Sequence, residues 1–469
     1  RDRFDSFAEN PFVRVREDAR STFSIDVDTA SYSLVRSQLA RGQRPPTGAV
    51  RIEEMINYFD YHYPPPGAGA VFSVVADVTE APWEPRHRLL RIGIRGKDVD
   101  RRHRPAANLV FLLDVSGSMR PQNKLPLLKQ ALRLLVQELE ARDRVSMVVY
   151  AGASGLVLPP TRGDRKESIL DAIERLDAGG STNGGAGIEL AYAQAKQSYV
   201  PGGINRVLLA TDGDFNVGVT SESDLVELIQ RRAREGVFLS VLGFGNGNYN
   251  DSALEKLADK GNGNYAFIDG LSEARKVLVQ QASSTLMTIA KDVKLQLEFN
   301  PRQVGAYRLL GYENRTLEHR DFNDDRKDAG ELGAGHTVTA LYELIPAGAP
   351  VPEVAADALK FQAPAALTDA ADSGELVTLK LRYKEPEGDQ SRLLEVPVRD
   401  HGSDFASADG DLRFAACVAA FGMWLKNSRY RGSWELEDLR RVALGHAAGD
   451  EPRQEFVALL DRARALGDR

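Results

Sequence analysis

Cysteine is almost missing from this chain, with Cys417 the single thiol in 469 residues. No intramolecular disulfide can form, which excludes a small secreted scaffold held by bridges. Set in the apolar run from Phe414 to Phe421, that thiol reads as a buried, inert small residue. Runs of about 18 apolar residues are lacking too, so no transmembrane segment is expected. Charge of one sign is not in excess: 60 Lys and Arg face 67 Asp and Glu, a net charge of -7. A nucleic-acid partner is therefore not expected, because such domains carry a basic face. The run Arg101, Arg102, His103, Arg104 reads as solvated surface. The 7 histidines form no HExxH pair, so none is given a metal or base role. Gly-rich stretches near Gly179 and Gly243 have neither the lysine of a phosphate loop nor GxGxxG followed by an acid. Ser116 is not in a GxSxG elbow.

What remains is a globular mixture, 42% apolar and 27% charged, long enough for two to four domains. Residues 1–66 read as a helical N-terminal region. Asp28 or Thr29 caps a segment with Tyr32, Val35 and Leu39 at helical spacing, and a second segment puts Ile52, Met55, Ile56 and Phe59 on one side. The Pro64, Pro65, Pro66 run ends it. Residues 67–105 then alternate with period two, as do residues 286–404, where Val293, Leu295, Leu297 and Phe299 point one way. Two short strands close no core alone, so the economical account is one antiparallel, sandwich-like β-domain interrupted by residues 106–285. Residues 405–469 read as a helical appendage. Its second helix is expected to be capped near Ser433, and its third to take Pro452 in its first turn.

The interrupting segment alternates short apolar runs with amphipathic helices. Leu109 to Leu113, Val145 to Tyr150, Val207 to Ala210 and Val237 to Leu242 read as strands buried on both faces, and Tyr265 to Ile268 as a fifth. Leu125, Leu128, Leu132, Leu135 and Leu139 form a helical stripe between them. The fold class is α/β, a mainly parallel sheet with helices on both faces.

One constellation carries chemistry. Residues 108–119, NLVFLLDVSGSM, end a strand at Asp114 and follow it with Ser116 and Ser118 around Gly117. Ligand sites in parallel sheets form outside the carboxyl ends of the strands. Thr211, Asp212, Gly213 and Asp214 close another strand, and the Gly179 to Gly185 loop offers Thr182. Two carboxylates and three hydroxyls are hard oxygen donors, which select Mg²⁺, Mn²⁺ or Ca²⁺ over zinc or copper. Neutral hydroxyls leave such an ion electrophilic, open to a carboxylate from outside.

This pattern resembles the metal-ion-dependent adhesion site of von Willebrand factor type A domains, with Asp114, Ser116, Ser118, Thr182 and Asp212 at the five ligand positions. The resemblance implies a Rossmann-like fold with the site at the top of the sheet. It also implies cation-dependent binding of a protein partner that offers an Asp or Glu. The flanks, Phe23 to Tyr32, Ile52 to Phe59 and Leu379 to Glu385, resemble bacterial YfbK-type proteins. That second resemblance implies an exported, envelope-associated or periplasmic protein, tethered through a lipid anchor upstream of Arg1 and removed from this sequence.

Two other readings stay open: an envelope scaffold with a non-essential metal site, and a metal-dependent hydrolase using Asp114 as nucleophile or Asp214 as base. Asp26 with Asp28 reads as helix capping against a calcium pair. Asp321-x-Asn323-x-Asp325 has the start of a calcium loop, but Arg326 replaces the glycine and Leu332 the glutamate, so a polar surface loop is expected.

Overall fold

The computed structural model describes residues 4, 7–25, 28–100, 104–151, 154–179, 184–213, 215, 222–245, 250–280, 287–325, 329–355, 357, 366–386 and 388–467. The chain divides into two compact units. One comprises residues 1–5, 28–34 and 99–287, and the other residues 6–27, 35–98 and 288–469.

The larger unit begins with two strands, β1 (Val13–Arg14) and β2 (Arg20–Ser24). They correct the expectation of a purely helical N-terminal region. β2 is placed by a partner some 270 residues away: it pairs with β11 (Thr288–Phe299) in the register Phe23 to Leu295. A five-residue stretch supplies no period of its own. Helix α1 (Ala30–Ala40) begins in the smaller unit and enters this one at Val35; α2 (Ile52–Asn57), β3 (Phe72–Glu80) and β4 (Arg88–Gly96) follow.

β4 pairs antiparallel with β14 (Thr337–Pro346), so strands before and after the α/β segment share one sheet. Among the described residues that sheet runs β1, β12 (Val304–Leu309), β14, β4, β3. A second sheet runs β13 (Gly330–Gly333), β11, β15 (Val377–Lys384), β16 (Ser391–Val398). Aromatic rings fill the space between their inner faces: Phe299 stacks on Tyr307 at 4.1 Å, and Phe72 meets Tyr383 edge-on at 4.8 Å. Such pairs stabilise by about 0.5–1.5 kcal/mol beyond their buried area.

Helices Gly410–Leu425, Leu436–Leu444 and Glu451–Gly467 complete the unit. Phe59, Phe414 and Phe456 meet edge-to-face at 5.0–5.7 Å and join the segment just after α2 to the first and third of them. The second is capped by Glu435 in a reciprocal box with Asp438, not by Ser433. Pro452 does stand in the first turn of the third. Cys417 is fully buried, and burial pushes its thiol up.

The smaller unit is the α/β segment. Its six-stranded sheet, counted among the described residues, runs β10 (Tyr265–Ile268), β9 (Phe238–Phe244), β8 (Ile204–Thr211), β5 (Ala107–Asp114), β6 (Arg144–Tyr150), β7 (Ser154–Arg162). All neighbours are parallel except β7, which lies antiparallel on β6. β5 and β8 are buried along their whole length, as apolar runs without alternation require. β7 escapes a reading by pattern, since it carries Pro159 and Pro160, which only an edge strand accommodates.

Helix α3 (Leu125–Glu138) buries Leu125, Leu128, Leu132 and Leu135 against this sheet. Each such leucine stabilises by about 1.5–3 kcal/mol. α4 (Lys166–Glu174), α5 (Gly184–Gln197), α6 (Glu222–Arg234), α7 (Asp251–Lys260) and α8 (Leu271–Arg275) follow along the chain. Arg104 is not free surface: its guanidinium holds Asp143, fully buried, at 2.6 and 2.8 Å.

Candidate functional site

Strand order places the site. From β5 the chain winds one way through β6 and β7, and from β8 the other way through β9 and β10. The crevice at such a reversal is where open parallel sheets hold ligands. β5 ends at Asp114, and Asp212 follows the end of β8 directly.

Asp114 is fully buried, and Ser116 and Asp212 are each 2% exposed. The Ser116 N–H donates to Asp114 Oδ1 at 2.9 Å, which turns the chain sharply after β5. One turn of 3₁₀ helix, Gly117–Met119, then carries Ser118. The two serine hydroxyls lie 2.9 Å apart, with Ser118 on the exposed side. From the neighbouring strand, Thr211 Oγ1 donates to Asp114 Oδ2 at 3.4 Å and accepts from the Gly213 N–H at 3.3 Å.

The Asp114 carboxyl is pushed up to about 6. Burial is the largest cause, opposed by hydrogen bonds from Ser116 and reinforced by the charge of Asp212. Buried negative charge without a matching cation has this effect.

Asp212 is anchored on one side only. Lys124, the residue before α3, sends its Nζ to Asp212 Oδ2 at 2.8 Å, while Oδ1 is buried with no hydrogen-bond partner among the described residues. An orphaned carboxylate oxygen at this depth is costly unless something else satisfies it. With Asp114 and the paired hydroxyls, it makes an all-oxygen donor set suited to a hard divalent ion. The residues therefore fit a metal of the Mg²⁺ class.

Of the five ligand positions, Asp114, Ser116, Ser118 and Asp212 come together at these two strand ends. Thr182 lies outside the described residues, as do Asp214 and Asp26. The loop toward Thr182 does start here, because the Gly179 N–H donates to Val115 O at 2.7 Å. Behind it, α5 presses on the sheet at Gly187, where an added Cβ would stand 2.9 Å from Tyr150 Cβ. Tyr150 is the cross-strand partner of Asp114, and its ring meets Phe215 edge-on at 5.4 Å.

The other acidic candidates hold protein groups. Asp28 Oδ1 accepts the Tyr265 N–H at 2.8 Å, tying the start of α1 to β10. The loop of Asp321, Asn323 and Asp325 receives lysines. Lys294 Nζ reaches the carbonyls of Asp321 and Asp324 at 3.0 and 2.6 Å, and Lys384 Nζ reaches that of Asp325 at 2.6 Å. Sequence reasoning placed Thr211 at this strand end but gave it no contact with Asp114, and it missed Lys124. A lysine before a helix has no marker that separates it from a solvated one.

Comparison with known proteins agrees with the fold. The family model described as von Willebrand factor type A domain matches residues 108–281. A model described as von Willebrand factor matches residues 1–91, and one described as the C-terminal region of uncharacterized protein YfbK matches residues 284–466. Escherichia coli (strain K12) protein YfbK is 43% identical over 476 residues, covering 99% of this chain and 82% of that protein.

The chain belongs to the YfbK family of von Willebrand factor type A proteins.

Protein sll0103 of Synechocystis sp. is 30% identical over 218 residues, 46% of this chain and 50% of that protein. A solved structure, von Willebrand factor type A from Catenulispora acidiphila, is 15% identical with a TM-score of 0.44, covering 84% of this chain and 90% of that one.

Proposed function

We propose that the type A domain is a divalent-cation-dependent protein-binding module. In this reading an Mg²⁺-class ion (Mg²⁺, Mn²⁺ or Ca²⁺) is held by Asp114, Ser116, Ser118, Thr182 and Asp212, and an Asp or Glu of a protein partner completes its shell. The bound ion would supply positive charge at the sheet edge, and these residues bind and orient it.

The observation that carries the reading is the pairing of Ser116 and Ser118 beside Asp114, opposite a buried Asp212 oxygen that has no donor among the described residues. Ser118 is exposed, so the site faces outward.

The cell envelope, periplasmic or exported, is the location that accompanies this reading. Among the described residues no helix is long and apolar enough to cross a membrane. The tether we propose is a lipid anchor upstream of the folded part.

Affinity capture with wild type and Asp114→Ala, in Mg²⁺ and in EDTA, tests the reading. A purified partner should bind wild type in Mg²⁺ alone. Equal binding in EDTA would replace the module with a scaffold whose metal site is not essential. Metal-dependent turnover of a phosphoester lost in Asp114→Ala would replace it with a hydrolase.

A further inference from the structure

Lys124 is the one cation seen to enter the candidate site among the described residues. Its Nζ lies 2.8 Å from Asp212 Oδ2, both side chains are at most 9% exposed, and neither is screened by bulk water. The contact is built in. Lys124 ends a turn whose N–H donates to Pro121 O at 2.9 Å, and its carbonyl accepts the first bond of α3 from Leu128 N at 2.8 Å. Gly245, at φ +73°, lies over the side-chain stem so closely that an added Cβ would stand 2.2 Å from Lys124 Cε. Gly245 thus packs its backbone on the lysine stem, in a conformation that L side chains rarely adopt.

We infer that Lys124 is a resident counter-charge that weakens the hold of the site on its divalent ion and keeps the bound ion able to attract an acidic ligand. The inference rests on the metal reading of the site and adds a charge-setting residue to it. Asp114 and Asp212 bring two negative charges, and Lys124 cancels one. A divalent ion then leaves the site with a net positive charge, which an incoming carboxylate neutralises. Without Lys124 the two carboxylates would balance the ion by themselves, and the pull on a partner acid would fall. Affinity for hard divalent ions follows the number of charges in the ligand set. Lys124 touches Asp212 Oδ2, and Oδ1 has no hydrogen-bond partner among the described residues, so Oδ1 would be the oxygen open to the ion.

A double-mutant cycle read by calorimetry with Mn²⁺ on the full chain tests this. Lys124→Met should bind Mn²⁺ about tenfold more tightly than wild type. Asp212→Asn leaves the ammonium unopposed beside the ion and should weaken binding at least a hundredfold by charge repulsion at a buried site. Lys124→Met with Asp212→Asn removes both charges and should restore binding to within a few-fold of wild type. Replacing both partners of a buried pair is tolerated better than replacing one, so the double variant should fold even where Lys124→Met does not. A double variant that binds no better than Asp212→Asn overturns the role of Lys124, as does unchanged or weaker binding in a folded Lys124→Met. Failure of the underlying reading looks different: wild type itself would bind no Mn²⁺, or Asp114→Ala would bind it equally well.

Discussion

The hydroxyls of Ser116 and Ser118 lie 2.9 Å apart, yet the first is buried and the second exposed. The pair therefore spans the boundary between the sheet and its surroundings. Ser118→Ala removes the outer hydroxyl without opening a cavity, since α3 is held by Leu125, Leu128, Leu132 and Leu135. Divalent-ion affinity and partner binding should fall, while thermal unfolding moves by no more than a degree or two. Leu132→Ala, by contrast, should cost about 2–5 kcal/mol. A large stability loss in Ser118→Ala would mean that the hydroxyl is structural.

Gly187 connects the helix behind the Thr182 loop to the strand beside Asp114. Its missing side chain lets α5 approach Tyr150 and Leu112, and a Cβ would stand 2.9 and 3.2 Å from them. Gly187→Ala should push the start of α5 outward. We expect a stability loss of about 1–3 kcal/mol from overpacking, with several-fold weaker Mn²⁺ binding measured by calorimetry. Unchanged metal affinity would show that the loop is positioned independently of the helix.

Much of the α/β segment was legible because its central strands are buried on both faces and α3 carries an unbroken leucine stripe. Val207 to Ala210 in β8 is apolar because neither side meets water. The pattern of Asp114, Ser116 and Ser118 was legible because the chemistry lies within five consecutive residues. The rest depends on contacts distant in sequence. β2 has no period of its own and acquires its register from β11, whereas β7 carries Pro159 and Pro160, tolerated because one of its edges is unpaired among the described residues. Lys124 meets Asp212 across 88 positions. No local rule separates it from the exposed lysines of other helices.

One divalent site is expected in the described chain. The loop of Asp321, Asn323 and Asp325 looked like a partial calcium loop, but Lys294 and Lys384 already supply ammonium groups to its carbonyls, and Arg382 and Ser391 donate to Asp325. A calcium ion would have to displace both lysines, one of which also pairs with Asp292 at 2.6 Å. Asp325→Asn should therefore leave Ca²⁺ stoichiometry unchanged in calorimetry, whereas Asp114→Ala abolishes it. Loss of a site in Asp325→Asn would establish the loop as a calcium ligand.

The β-sandwich holds a buried charge cluster that is expected to set its acid limit. Glu343 is 2% exposed, accepts from His87 Nδ1 at 2.6 Å, and pairs with Arg308, itself 1% exposed in its side chain, at 2.8 Å. Burial alone would push the Glu343 carboxyl up, but the His87 hydrogen bond and the Arg308 charge outweigh it and hold the group below its ordinary value. A depressed carboxylate adds stability above its ordinary value of 4.5 and loses it as pH falls through the lower folded value. Unfolding followed by circular dichroism should therefore show the contribution in full near neutrality and its loss below about pH 4.5, once the unfolded carboxyl takes up its proton. Arg308→Met leaves Glu343 buried with one partner fewer and should cost about 3–5 kcal/mol at pH 7. Arg308→Met with Glu343→Leu removes both charges, so most of that loss should be recovered and the acid transition should shift to lower pH. A double variant that loses stability at the same pH as wild type would assign the acid limit to other carboxylates.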